Sequence, residues 1–110
     1  MGEKSDQRKR PPPQGAICAI VRAETRGGAG AELAALLGDL AHSVRAEEDG
    51  CTSYHVTRAM GSPEHFAVHA RFADWNAFKG HAETMHLKRA LPRINALLAS
   101  PLAMELYLEI

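Results

Sequence analysis

The hydrophobic period of this chain switches repeatedly between helical and extended values, and the order of the switches limits how it can fold. Leu33, Leu36, Leu37, Leu40 and Val44 recur at i, i+3, i+4, i+7 and i+11, which draws one apolar stripe on a helix over residues 31–47. Between residues 65 and 72 the period drops to two. There Phe66, Val68, Ala70 and Phe72 share one face of a strand, and Ala67, His69 and Arg71 share the other. Residues 17–23 are short, apolar and partly β-branched, as a buried strand is, and residues 51–58 carry the β-favouring Tyr54, Val56 and Thr57. Met104 to Ile110 alternates again and forms a last strand. Asp74 is an N-cap for a helical region running to about Leu98, in which Pro92 predicts a kink or break near Leu91 and Gly80 is a second weak point. The order β-α-β-β-α-β predicts an α+β fold of the ferredoxin-like, split β-α-β kind, with helices on one face of a four-stranded antiparallel sheet. The other sheet face, with His69 and Arg71, has nothing above it. Leaving it wet is costly, so a second copy of the chain is the expected cover.

Composition narrows the function. With 110 residues the chain suits one domain, and 13 basic against 13 acidic residues give no net charge. Nucleic acid is therefore not an expected partner, since its binders carry a basic stripe. No apolar run nears the about 18 residues of a membrane helix, and the charged N-terminus lacks the apolar core of a secretory leader, so a cytoplasmic protein with no membrane association is expected. Cys18 and Cys51 are too few for a disulfide scaffold. Residues 1–14 hold Arg8-Lys9-Arg10 and three consecutive prolines and read as a flexible tail; residues 15–110 read as the folded domain. The run Gly27-Gly28-Ala29-Gly30 matches no phosphate-binding fingerprint and is expected to be a strand-to-helix connection.

Three stretches resemble the antibiotic biosynthesis monooxygenase family of dimeric α+β barrels. Glu48-Asp49-Gly50-Cys51 followed by Tyr54 resembles that family's turn into its second strand. Phe66 through Asp74 is similar in spacing to its segment of Phe, Glu, Trp and Asp, and Ala77 with His81-Ala82-Glu83-Thr84-Met85-His86 resembles the helix that follows. The resemblance covers residues 16–110. It implies a homodimer that oxidises a quinol or polycyclic phenol with molecular oxygen and uses no metal or organic cofactor; other branches of the family degrade haem. This chain departs from the pattern at Ala70, where the family often has Glu, and at Phe72, where it has Trp. Val21 falls near the Asn of the haem-degrading branch. These departures count against haem degradation and favour an alternative to the oxygenase, a non-catalytic dimer that binds a small aromatic ligand; a second alternative is a haem-binding relative with a histidine as axial ligand.

A deprotonated, electron-rich phenol can pass an electron to oxygen directly, so the protein need supply only a base and a dry pocket. Histidine suits the first task near neutral pH, and the chain has six. His81 and His86 are the candidate catalytic residues because they fall on the family-like segment. Five residues apart, they stand roughly 140° apart on a regular helix and cannot both chelate one metal unless the helix breaks between them, which counts against a metal site. One is expected to face the pocket, the other to cap the helix or cross the dimer contact. Tyr54, Phe66, Phe72 and Met85 are the candidate lining of an aromatic-binding cavity. His69 is expected between subunits, and Cys51 has no adjacent base to make it a nucleophile.

Overall fold

The computed structural model describes residues 11–110. Residues 1–10 of the expected tail lie outside that range; residues 11–14 are exposed and lead into the first strand. The elements in chain order are β1 (Ile17–Glu24), α1 (Gly30–Glu47), β2 (Cys51–Arg58), β3 (His65–Phe72), α2 (Trp75–Ala82), α3 (Met85–Asn95) and β4 (Ala103–Leu108). The strands form one antiparallel sheet in the order β2-β3-β1-β4, the ferredoxin-like arrangement the hydrophobic periods predict. No helix among the described residues is long and apolar enough to cross a membrane.

The core lies between the helices and one sheet face. All five residues of the α1 stripe are buried there, against Ile17, Ala19 and Ala23 of β1 and Phe66, Val68, Ala70 and Phe72 of β3. The register explains the shared face: Ile17 pairs with Phe72, Ala19 with Ala70, Val21 with Val68 and Ala23 with Phe66. The opposite face carries Cys18, Ile20, His55, Ala67 and His69, with Arg71 clasped by Glu109 at 2.6 and 2.9 Å and Arg22 paired with Glu105. Those ion pairs hold the Glu105 and Glu109 carboxyls below the usual range through hydrogen bonds from the arginines. Edge strand β4 leaves Met104, Leu106, Tyr107 and Leu108 exposed. It ends at Leu108, two residues short of the expected Ile110.

The helical region after Asp74 breaks at a different place from the one proline predicts. Pro92 sits inside α3, which runs unbroken to Asn95. A helix-interior proline costs about 3 kcal/mol, in part by orphaning the carbonyl four residues back. That carbonyl belongs to Lys88, and both Lys88 and Pro92 are exposed, so water can take the orphan's place. The break comes instead at Glu83–Thr84. Thr84 donates its hydroxyl to the His81 carbonyl at 2.8 Å, closing α2, and accepts from the Leu87 amide at 3.4 Å, opening α3. An N-cap of this kind is worth about 1 kcal/mol.

Two local features aim the helices and strands. A β-bulge between Cys51 and Ser53 inserts Thr52 into β2, so Cys51 pairs with Phe72 and Tyr54 with Ala70. Without it, residues three apart would fall on opposite faces; with it, Cys51 and Tyr54 both face the helices. Gly50 serves close approach: a Cβ there would lie 2.6 Å from the Ala77 Cβ. Gly50→Ala is therefore expected to destabilise the fold by about 1–3 kcal/mol, the cost of overpacking. Urea unfolding checks this, with Ala77→Gly in the same background restoring part of the loss. An unshifted midpoint for Gly50→Ala would contradict the contact.

Candidate active site

A helix C-terminus repels anions, yet α1 ends on Glu47, Glu48 and Asp49. Glu48 resolves the conflict by turning inward. Its Oε1 and Oε2 both lie 3.0 Å from Nδ1 of His81, and Oε2 lies 2.5 Å from Nε2 of His86. The three side chains keep only 12%, 9% and 14% of their surface for His81, Glu48 and His86. The break at Thr84 makes this convergence possible, because it swings α3 back so that both imidazoles meet one carboxylate. The expectation that one histidine caps a helix or crosses to a partner is replaced by this shared contact. The Gly50–Ala77 contact aligns it, since Glu48 lies two residues before Gly50 and His81 one helical turn after Ala77.

His81 is the member of the cluster that borders a cavity. The cavity holds about 330 Å³ between the sheet and the three helices, within the range of small-molecule sites. Its floor includes Val21, Tyr54, Phe66 and Val68, and its roof Leu37, Leu40, Phe78, Leu87 and Leu91; Met104 and Ala82 are its exposed margin. Among all the lining residues His81 and Tyr54 alone carry polar side chains. The His81 ring leans on Tyr54 at 5.8 Å and Phe72 at 5.1 Å between centroids. Its Nε2 has no hydrogen-bond partner in the protein, and no buried side-chain nitrogen or oxygen among the described residues lacks one. Nε2 is thus accessible, on a ring that lines the cavity.

The structure brings His81, Tyr54 and Phe66 together on the cavity and places the other candidates elsewhere. Phe72 lies behind His81, fully buried with its ring edge-on to Phe78, and Met85 opens α3 pointing into solvent, 59% exposed; neither lines the cavity. His86 reaches the cluster from outside the lining. His69 is exposed on the uncovered sheet face opposite His55. Cys51 hydrogen-bonds the Ser53 carbonyl at 3.2 Å, and burial, then Glu48, push its thiol up, which favours the unreactive form. Among the described residues no three His, Cys, Asp or Glu side chains are grouped as metal ligands. Glu64 fills the glycine-rich loop, its carboxylate accepting from the Gly28 amide at 3.0 Å. A wider depression of about 500 Å³ at the end of the sheet includes Arg22 and Arg58, but both guanidinium groups are engaged. Glu105 holds the first, and the Gly30 carbonyl at 2.9 Å with the Phe66 ring holds the second.

Glu48 is the member of the cluster that the sequence reading did not single out. Its signal is the run of three acids against the helix dipole, an arrangement that calls for a partner cation or donor.

Comparison with known proteins agrees with this architecture. The family model described as Antibiotic biosynthesis monooxygenase matches residues 16–93. A candidate antibiotic biosynthesis monooxygenase from Caulobacter crescentus CB15 superposes with a TM-score of 0.85 at 26% identity, covering 90% of this chain and 93% of that one. A Mycobacterium tuberculosis protein gives 0.80 at 24% identity, over 86% and 95%. SnoaB, a cofactor-independent oxygenase from Streptomyces nogalater, gives 0.76 at 16% identity, over 87% and 94%, a likeness of fold alone. No curated protein matches the sequence.

Burial first, then Cys51 and Glu48, push the Tyr54 hydroxyl up to about 12 from its ordinary 10.0. Below pH 10 the group is protonated folded or unfolded and contributes nothing to pH dependence. Between about pH 10 and 12 only the unfolded chain ionises, so stability falls as pH rises, by on the order of 2 kcal/mol across the window. Denaturant midpoints measured at about pH 9.5 and 11.5 are expected to drop more in wild type than in Tyr54→Phe.

Proposed function

The chain belongs to the antibiotic biosynthesis monooxygenase family, and from that premise we propose that it oxidises a quinol or polycyclic phenol with molecular oxygen, needing no metal or organic cofactor. The observation that carries the proposal is the His81 imidazole bordering an apolar cavity whose lining it shares with Tyr54. A planar aromatic guest fits such walls, and the scarcity of charged groups suits a neutral phenol better than a carboxylate or phosphate.

In this reading His81 Nε2 takes the phenolic proton. The phenolate passes one electron to oxygen, and the resulting radical pair joins in a carbon–oxygen bond. The peroxide then breaks its O–O bond: one oxygen atom stays on the ring as a quinone carbonyl, and the other leaves as water with the returned proton and the hydrogen from the attacked carbon. Tyr54, held as a phenol, donates a hydrogen bond to a substrate or peroxide oxygen. Both electrons that reduce the departing oxygen come from the substrate, so its own electron richness supplies the redox chemistry. Burial of the site keeps water from competing for the phenolate.

Ala70 and Phe72, standing where relatives carry Glu and Trp, favour a second reading, in which the cavity binds a small aromatic ligand without turnover. The proposal also includes a homodimer. The uncovered sheet face and the exposed apolar residues of β4 support it, since a partner sheet would shield both.

An oxygen electrode with a panel of hydroquinones tests the function. Wild type is expected to consume oxygen above background, and His81→Ala to lose about 10²–10⁴-fold in kcat, the usual worth of a general base. Equal rates in the two proteins would remove His81 as base. Saturable binding of the same compounds with no oxygen uptake would select the binding reading.

A further inference from the structure

The Glu48 cluster distinguishes two histidines that sequence treats alike. An ionised carboxylate only accepts hydrogen bonds, so each ring nitrogen facing it must carry a hydrogen. For His81 that nitrogen is Nδ1, at 3.0 Å from both carboxylate oxygens. A neutral His81 is then the Nδ1–H tautomer, and its lone pair lies on Nε2, toward the cavity. For His86 the nitrogen facing Glu48 is Nε2, at 2.5 Å, while Nδ1 lies 4.0 Å from the exposed carboxylate of Glu47. Among the described residues only Glu48 is within hydrogen-bond reach of the His86 ring, and the second carboxylate, too far to accept a hydrogen bond, adds negative charge on its other side, so of the two rings His86 is the one placed to balance the carboxylate.

Charge balance points the same way. A carboxylate with almost no access to water and set at a helix C-terminus is costly unless paired. Among the described residues, its hydrogen-bonding partners are the two imidazoles alone. Its neighbours Cys51 and Tyr54, both pushed toward their neutral forms first by burial and further by its charge, bring no positive charge, and the nearby Arg45 guanidinium is spent on the Tyr54 carbonyl at 2.8 Å. One proton shared unequally by the two histidines makes the cluster neutral.

We infer that Glu48 and His86 are positioning residues: His86 balances the Glu48 carboxylate, and Glu48 holds His81 in the tautomer whose free Nε2 lone pair faces the cavity. What that lone pair accepts rests on the proposed oxygenase reading; the tautomer itself does not. The arrangement follows the logic of acid–histidine pairs in hydrolases, where the acid fixes the imidazole and is not itself the base.

Long-range proton–nitrogen NMR of the histidine rings in the full chain tests the inference without any turnover. Wild type is expected to show hydrogen on Nδ1 and not Nε2 of His81, and hydrogen on both nitrogens of His86. In Glu48→Gln the amide must donate to one of the two rings, so one facing nitrogen is expected to lose its hydrogen. Oxygen uptake adds the kinetic arm. Glu48→Gln is expected to lower kcat by about 10²-fold or more with KM changed less than about threefold, and Glu48→Asp to recover part of the loss. His86→Gln, which can still donate to Glu48, is expected to be less impaired than His86→Ala. A wild-type His81 protonated on Nε2 instead of Nδ1, or a Glu48→Gln protein with unchanged ring signals and kcat, would overturn the inference. A wild type that consumes no oxygen would remove the oxygenase reading, and the ring signals would still decide the positioning.

Discussion

A carboxylate turned inward at the end of a helix sets the terms for the rest of this molecule. Glu48 sits where the α1 dipole disfavours it and where little water reaches it, so the fold has to deliver hydrogen-bond donors to that point. It does so from two helices at once. Gly50 lets α2 approach until its Ala77 touches the turn, which lays His81 against the carboxylate; Thr84 then ends α2 and restarts the chain so that His86 arrives from α3. A side chain at residue 50 would push α2 outward. A continuous helix through residue 84 would carry His86 away. The cluster and the local backbone are thus one design, and neither is intelligible without the other.

The same constraint accounts for the cavity. Pinning α2 to the turn before β2 fixes one end of the helical layer close to the sheet, where Phe72 fills the space completely. Toward Leu102 and Met104 no such contact draws the layers together, and the small side chains of Ala23 and Ala82 leave room that larger residues would fill. Close packing in proteins leaves few voids of this size by accident. Here the void lies beside His81, the one imidazole of the cluster that lines it.

Much of the architecture is legible in the sequence because burial has a period. The α1 stripe and the β3 alternation are each read from which side must be dry, and the structure buries those residues. Features that depend on a single hydrogen bond or a single missing atom are not written in any period. Pro92 and Gly80 are the breakers a sequence displays, yet solvent exposure removes part of the Pro92 penalty and the break falls at Thr84, on two hydrogen bonds of one hydroxyl. The bulge at Thr52 puts Tyr54 on the helix side by adding one residue to one strand, and nothing in the composition of β2 marks it. The candidate site was legible in part: His81, Tyr54 and Phe66 come together on the cavity. Phe72 and Met85 are marked in sequence only by being apolar, a property that does not separate a wall from a core or a surface. Glu48 hid in an acidic run that reads as a solvated turn.

The departures at Ala70 and Phe72 bear on what chemistry remains. Both side chains lie in the core on the helix-facing side, so an acid and an indole at those positions would also point toward the interior. Ala70 and Phe72 offer no hydrogen-bonding group there, and the carboxylate of the site comes from the opposite direction, off the end of α1. Whatever proton chemistry the cavity supports is therefore concentrated on His81 and Tyr54, with no second acid lining the wall. That favours a substrate that needs one proton removed and brings its own electrons, and it disfavours reactions requiring an acid and a base on opposite sides of the guest. Met104 adds a final condition. It borders the cavity and is itself exposed, on an edge strand whose neighbouring apolar residues are also uncovered. A second copy shielding β4 would complete the wall on that side, so the dryness on which phenolate oxidation depends is a property of the proposed dimer more than of the single chain.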